Sequence, residues 1–288
     1  MYMNYVVIIP AYNEEEFLGM TLETLIRQEH LPRQAIVVND GSTDATPEIA
    51  GGYARQHPWI KLVNNEKKEK RSAGAKVVRA FYLGYENIDV AYDFLVKLDA
   101  DVELPENYFR RLSEMFQTNP RLGIAGGMIT TLKNGEWEFE HFADRDYVAG
   151  SFKSYRRECF EAIGGLRRSI GWDTVDELLA RYHGWEVAVD ERLQVRHHRA
   201  LGTETGSLGV RAKAGQAMYR MRYGLLIALV SAAKAGYLNK PYGLTGVAVF
   251  WGWLRSRLRR ETFIVNEDEG RFIRKFRRKR MLGKLGIR

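Results

Sequence analysis

Cysteine is almost missing from this chain: Cys159 stands alone among 288 residues. A single thiol excludes an internal disulfide framework and any zinc site built from several cysteines. Set in "RRECFEAIGG", it reads as a buried helical thiol. Runs long enough to span a bilayer are missing too. Two uncharged apolar stretches, "YGLLIALVSAA" at 223–233 and "PYGLTGVAVFWGWL" at 241–254, fall short of the roughly 20 residues a spanning helix needs. There is no internal repeat and no low-complexity linker. The start, "MYMNYVVIIPAYNEEE", has no basic region ahead of its apolar run and turns acidic directly after it. That excludes a secretory signal. The segment reads instead as a first strand, and the chain is expected to stay in the cytoplasm.

What is present is a folded protein of unequal halves. The 45% apolar and 28% charged fractions are those of a globular chain, and 288 residues suit one large domain or a domain with an appendage. The net charge of +8 is unevenly placed: residues 255–288 hold thirteen Lys/Arg against four Asp/Glu, a net +9. The remainder is close to −1, so a nearly neutral body carries a basic tail. A basic tail marks attraction to a polyanion, membrane or nucleic acid.

Along the first hundred residues two periodicities alternate. "YVVIIPA", "AIVVND", "IKLVNN" and "DFLVKLD" are short Val/Ile-rich runs suited to strands buried on both faces. Helix-like segments separate them: "EEEFLGMTLETLIRQ", "TDATPEIAGGYARQH" and "SAGAKVVRAFYLGYE". This alternation predicts a parallel sheet with right-handed crossovers. Beyond residue 120, "LGIAGGMIT" and "EWEFEHF" read as strands and "SYRRECFEAIGG" as a helix closed by glycines. "TVDELLARYHGWEVAVDERLQVRHH" reads as a helix followed by a short hairpin, and residues from about 206 as mainly helical.

Ligands of such sheets bind beyond the carboxyl ends of the strands. Three of those ends are polar: "PAYNE", "NDGSTD" and "DAD". On an extended strand residues i and i+2 face the same way, so Asp99 and Asp101 project together. Two hard oxygen donors with open positions suit Mg²⁺ or Mn²⁺ shared with substrate phosphates. By itself D-x-D equally describes a helix cap or a solvated loop. In "VVNDGSTDAT", Asp40 sits at a strand end and Gly41 permits a tight turn. Ser42, Thr43 or Asp44 can cap the next helix. The segment is either an ordinary strand-to-helix turn or a place where Asp40, near Glu14, meets a base or ribose.

"VVIIPAYNEEEFLGMTLETLIRQ", "IVVNDGSTDAT" and "VKLDADVELP", in this order and spacing, resemble a family 2 glycosyltransferase of the GT-A fold. "VAGSFKSYRRECFEAIGGL" resembles the family's acceptor-side segment and "GWDTVDELLARYHGWEV" its catalytic helix. The resemblance implies a Rossmann-like catalytic domain over 1–205, with a mostly parallel sheet flanked by helices. Residues 206–288 would form a helical, basic extension. It implies an inverting transfer from a nucleotide-diphosphate sugar to a glycan or lipid-linked acceptor. By position, Pro10, Tyr12, Glu14, Asp40, Arg71 and Asp99 would contact the donor nucleotide. Asp99 and Asp101 would hold the metal, and His197, after "ERLQV", would complete that site, contact a phosphate or be one of a solvated pair with His198.

Two departures from the family pattern are visible. Asn39-Asp40 stands where two aspartates are common, and Trp172-Asp173 where the catalytic helix usually has Glu-Asp. Counting back from Gly184-Trp185 places Asp173 at the base position, with Asp176 and Glu177 as neighbouring candidates. Competing readings are an inactive relative that binds nucleotide sugars and a basic nucleic-acid-binding protein, though no nucleic-acid partner is expected. A sugar nucleotidyltransferase would need a Gly- and Arg-rich phosphate loop where "PAYNEEE" stands. The extension is expected to attach the protein to an anionic membrane surface, on its cytoplasmic face; the alternative packs both apolar runs against the catalytic domain and leaves the tail solvated.

Overall fold

A computed structural model describes residues 2–65, 75–133, 135–139, 147–199 and 208–284. The chain divides into two compact units, one of residues 1–166 and 183–200, the other of 167–182 and 201–288.

In the first unit, β1 (Tyr5–Ala11), β2 (Gln34–Asn39), β3 (Ile60–Asn64) and β4 (Phe94–Leu98) lie parallel in the order β3-β2-β1-β4. The connecting helices are α1 (Leu18–Ile26), α2 (Thr46–Gln56) and α3 (Ala75–Tyr85). These strands are Val- and Ile-rich because both faces are covered. Tyr5, Val7, Ile9, Val37 and Val96 have no exposed surface. Each such side chain contributes about 1.5–3 kcal/mol of burial. Tyr5 stacks against Phe94 at 5.0 Å and Phe109 at 4.5 Å, joining the sheet to α4 (Tyr108–Thr118). That helix is absent from the sequence reading, although Tyr108, Phe109, Leu112 and Phe116 mark its buried face.

Past β4 the sheet becomes mixed. It continues through β8 (Phe152–Arg156), β6 (Leu122–Lys133), β9 (Glu186–His197) and the two-residue β5 (Val102–Glu103), with β7 (Glu136–Phe139) on β6. Two expectations are corrected here. The expected helix over 154–165 begins only at α5 (Arg157–Ala162), because 152–156 pair with β4. The expected strand over 136–142 is present as β7, and 140–142 lie outside the described residues. The expected hairpin after residue 184 is one continuous strand. β9 runs parallel to β6 and slips where Gly127 pairs Asp190 but Met128 pairs Gln194. Arg192 folds back there, its backbone N–H and guanidinium donating to Asp190 at 3.1 and 2.9 Å. The turn-like "VDERL" is thus a bulge, which bends a strand without ending it.

The second unit is helical: α6 (Trp172–Tyr182), α7 (Leu208–Arg220), α8 (Leu225–Leu238), α9 (Leu244–Leu258) and α10 (Glu267–Lys284). α7 and α9 approach closely because glycine faces backbone at two crossings. A Cβ on Gly215 would lie 1.8 Å from the Val249 carbonyl oxygen, and one on Gly252 1.9 Å from that of Ala212. α10 opens on a reciprocal cap: Asn266 N–H donates to Glu269 Oε2 at 2.7 Å, and Glu269 N–H to Asn266 Oδ1 at 2.9 Å. The paired bonds satisfy two otherwise orphaned donors, and the acids of the first turn suit the helix dipole. Among the described residues, no helix is long and apolar enough to cross a membrane.

Candidate active site

The polar ends of β1, β2 and β4 meet at one edge of the first unit, as the parallel topology requires. The first two loops are sewn together. Asn13, at φ 54°, accepts the Thr43 N–H at 2.9 Å, and Glu14 N–H donates to Thr46 Oγ1 at 2.8 Å. Gly41 makes its turn at φ 78°, where a Cβ would be strained. Tyr12 and Asp40, both expected at the nucleoside, are bridged by a cation that the sequence reading passes over. Lys76 Nζ lies 3.4 Å above the Tyr12 ring and 3.3 Å from Asp40 Oδ2, while Asn65 donates to Asp40 Oδ1 at 2.7 Å. Pro10 is half-buried in β1. Arg71 lies outside the described residues.

At the end of β4, Asp99, Asp101 and His197 come together with one ligand atom of each within 4.8 Å of the others. The topology explains how His197 reaches the pair. β9 ends beside β5, with His197 opposite Val102, so its ring faces the residue just before. Its Nε2 is 3.5 Å from Asp101 Oδ1, and its Nδ1 is held by the Arg199 carbonyl oxygen. A second partner of this kind orients a metal-binding imidazole. His198 turns away, pairing with Glu103 at 3.2 Å and packing edge-on against Trp137.

Two cations set the charge of this cluster. Lys97, buried within β4, pairs with Asp99 Oδ1. Arg199 donates to both oxygens of Glu14 at 2.9 and 2.7 Å and brings its Nε to 4.0 Å from Asp101 Oδ2. A forked pair of this sort is both directional and charge-assisted. Burial, then the adjacent Asp99 charge, raises the Asp101 carboxyl above its usual range, against the pull of His197, Arg199 and Lys97. Burial likewise raises Glu14, with Arg199 opposing it. A raised carboxyl means the folded protein disfavours the bare anion, and a bound cation would relieve this cost. Two carboxylates and an imidazole with further positions open fit a divalent ion such as Mn²⁺ or Mg²⁺.

Lys97 had a readable signal, since a lysine inside a strand buried on both faces needs a partner and Asp99 is two residues on. Arg199 had none, because Glu14 is 185 residues away.

The three acids proposed for the base lie on α6, in the second unit. Asp176 and Glu177 are buried, whereas Asp173 is half-exposed in the first turn. Asp176 Oδ1 accepts the Glu177 N–H at 2.6 Å, and Glu177 Oε2 pairs with Arg181 at 3.3 Å.

The model of "Glycosyl transferase family 2" matches residues 6–166. The chain belongs to this family. It has the GT-A fold. Among family relatives, an uncharacterized glycosyltransferase of Bacillus subtilis (strain 168), EpsJ, is 31% identical over 123 residues, 42% of this chain and 32% of its own. The poly-beta-1,6-N-acetyl-D-glucosamine synthase of Staphylococcus epidermidis is 28% identical over 123 residues, 42% of this chain and 27% of its own. The chain thus spans about a third or less of the length of these relatives. A solved mannosyltransferase from Pyrobaculum calidifontis, in complex with GDP-Man and Mn²⁺, superposes with a TM-score of 0.54 at 18% identity, over 90% of this chain and 74% of its own. That likeness concerns the fold.

Proposed function

We propose that this glycosyltransferase moves a sugar from a nucleotide-diphosphate donor to a hydroxyl of a glycan or lipid-linked acceptor, with inversion in a single displacement. The observation that carries the reading is the Asp99–Asp101–His197 cluster at the end of β4. Asp101 and His197 would hold Mn²⁺ or Mg²⁺. Asp99, pinned through one oxygen by Lys97, offers its other oxygen to the metal or the donor ribose. The bound cation would neutralise charge on the departing diphosphate. Pro10, Tyr12, Glu14, Asp40 and Arg71 surround the nucleotide. Asp173 takes the acceptor's proton as the acceptor oxygen bonds to the anomeric carbon and the bond to the nucleoside diphosphate breaks. A sugar hydroxyl is a poor nucleophile at neutral pH, so a positioned carboxylate is needed. Of the three acids on α6, Asp173 has the register expected of the base and the greatest exposure.

A polysaccharide acceptor is supported by the name of the Staphylococcus epidermidis relative. Residues 206–288 hold the enzyme at the cytoplasmic face of the membrane, where such acceptors can be lipid-linked. The test is nucleotide release from a panel of nucleotide sugars with Mn²⁺, with and without chelator. Chelator-sensitive release from one donor is the expected result. Donor binding without release from any of them would make the chain a binding relative.

A further inference from the structure

The pairing of α8 with α9 departs from the pattern of a water-soluble helix pair. In water, large apolar side chains face the partner helix and polar ones face outward. Here small residues lie where the two helices touch. Ala232 and Gly236 of α8 are buried, and a Cβ on Gly236 would meet Gly246 Cα of α9 at 3.3 Å. Ile227, Val249 and Trp253 are buried, but other large apolar residues of the two helices point out: Leu226 is 63% exposed, Tyr237 81%, Val247 66% and Trp251 54%. Small residues at the helix contact with large apolar ones outside is the packing of helices in lipid, where burial of apolar surface no longer drives association. On α9 the outward stripe Leu244, Val247, Trp251 continues one turn later into Arg255, also exposed.

We propose that the α8–α9 hairpin enters one leaflet of an anionic bilayer as a monotopic anchor, with Trp251 at the lipid–water boundary and Arg255 at the headgroups. This deepens the membrane reading given above and rests on it. The length of the helices decides against a span. Fourteen and fifteen residues make about 21 and 22 Å of helix, against a hydrocarbon core of about 30 Å. The charge decides the occupant. Residues 205–260 contain ten Lys/Arg and no Asp or Glu. A second copy of this surface would meet its own positive charge, whereas an anionic leaflet complements it. Tryptophan beside arginine at the end of an apolar stripe is the order found at that boundary.

The test uses the full chain and vesicles of phosphatidylcholine with phosphatidylglycerol. Wild-type protein should co-sediment and stay bound in part at high salt, since salt screens charge but not apolar insertion. Brominated acyl chains should quench a tryptophan component that disappears in Trp251→Phe. The triple variant Leu226→Ser, Val247→Ser, Trp251→Ser should lose salt-resistant binding by roughly tenfold or more, because such binding scales with inserted apolar area. Its far-UV circular dichroism and its lipid-free nucleotide release should match wild type, because these side chains face outward. Salt-resistant binding unchanged in the triple variant would overturn the proposal. So would a wild-type dimer in sedimentation velocity that this variant disperses, which would assign the face to a second copy. Failure of the wild type to release nucleotide from any donor would instead sink the transferase reading and leave the vesicle results standing.

Discussion

Gly252→Ala and Gly51→Ala add the same methyl group to a helix and should shift stability in opposite directions. At Gly252 the new Cβ would stand 1.9 Å from the Ala212 carbonyl oxygen and 2.7 Å from its carbon. A carbon–oxygen contact settles at about 3.3 Å, so α7 and α9 must part by roughly 1.4 Å. A gap of half to one ångström already forfeits a quarter to a half of a dispersion contact. The obstacle is also backbone, which cannot rotate aside. The cost should therefore reach about 3 kcal/mol, the top of the usual range for overpacking. Melting should fall by about 6–10 °C. At Gly51, in α2, the methyl would meet only the Arg55 guanidinium at 3.4 Å and Leu62 Cδ2 at 3.8 Å. Helix propensity then dominates, a gain of up to about 1 kcal/mol. Thermal unfolding followed by circular dichroism measures both. A Gly252→Ala protein that melts with wild type would refute the close approach of α7 and α9.

Four further outcomes are expected. Asp101→Asn should abolish the rise in melting temperature that Mn²⁺ produces, and an undiminished rise would remove Asp101 from the metal site. His197→Ala should weaken Mn²⁺ binding, read by electron paramagnetic resonance, by at least the roughly 10–100-fold typical of losing an outer-shell partner; equal binding would leave the imidazole only a packing role. Asp173→Asn should lower turnover by roughly 10²–10⁴-fold with donor affinity kept, and a far worse Asp176→Asn or Glu177→Gln would move the base along α6. Lys97→Met frees the Asp99 rotamer, so donor KM should rise. Melting should fall, because removing one partner leaves the Asp99 charge uncompensated, though only in part, since its side chain is 31% exposed to water; an unchanged KM would confine Lys97 to packing.

The parallel half of the fold was legible because its strands are buried on both faces and read as unbroken Val/Ile runs. The Asp99–Asp101 pair was legible from its spacing at a strand end, although β4 stops at Leu98 and the two acids lie in the turn before β5, not on an extended strand. The mixed half was not, for local reasons. A bulge carries turn residues, so "VDERL" reads as a hairpin although β9 continues through it. β8 has polar Lys153 and Ser154 buried among its apolar residues, which hides its strand character. Within the cluster, Asp99 and Asp101 announce themselves by spacing. Glu14 and Arg199 meet only in three dimensions, and nothing along the chain links them.

The separation in sequence of the groups in this cluster also says when it can form. Asp101 and His197 are about a hundred residues apart along the chain, and Glu14 and Arg199 are 185 apart. Contacts of such long range form only after their loop-closure entropy has been met, so they come late in folding. A chain still emerging from the ribosome has both aspartates long before it has the histidine. Metal affinity should therefore arrive as a late step, when β9 docks and closes the ring. From then on, an ion bound there cross-links distant parts of the chain and stabilises the folded state in proportion to the logarithm of its concentration over Kd. The same contacts that build the proposed donor site would thus make metal occupancy a gauge of whether the first unit has finished folding.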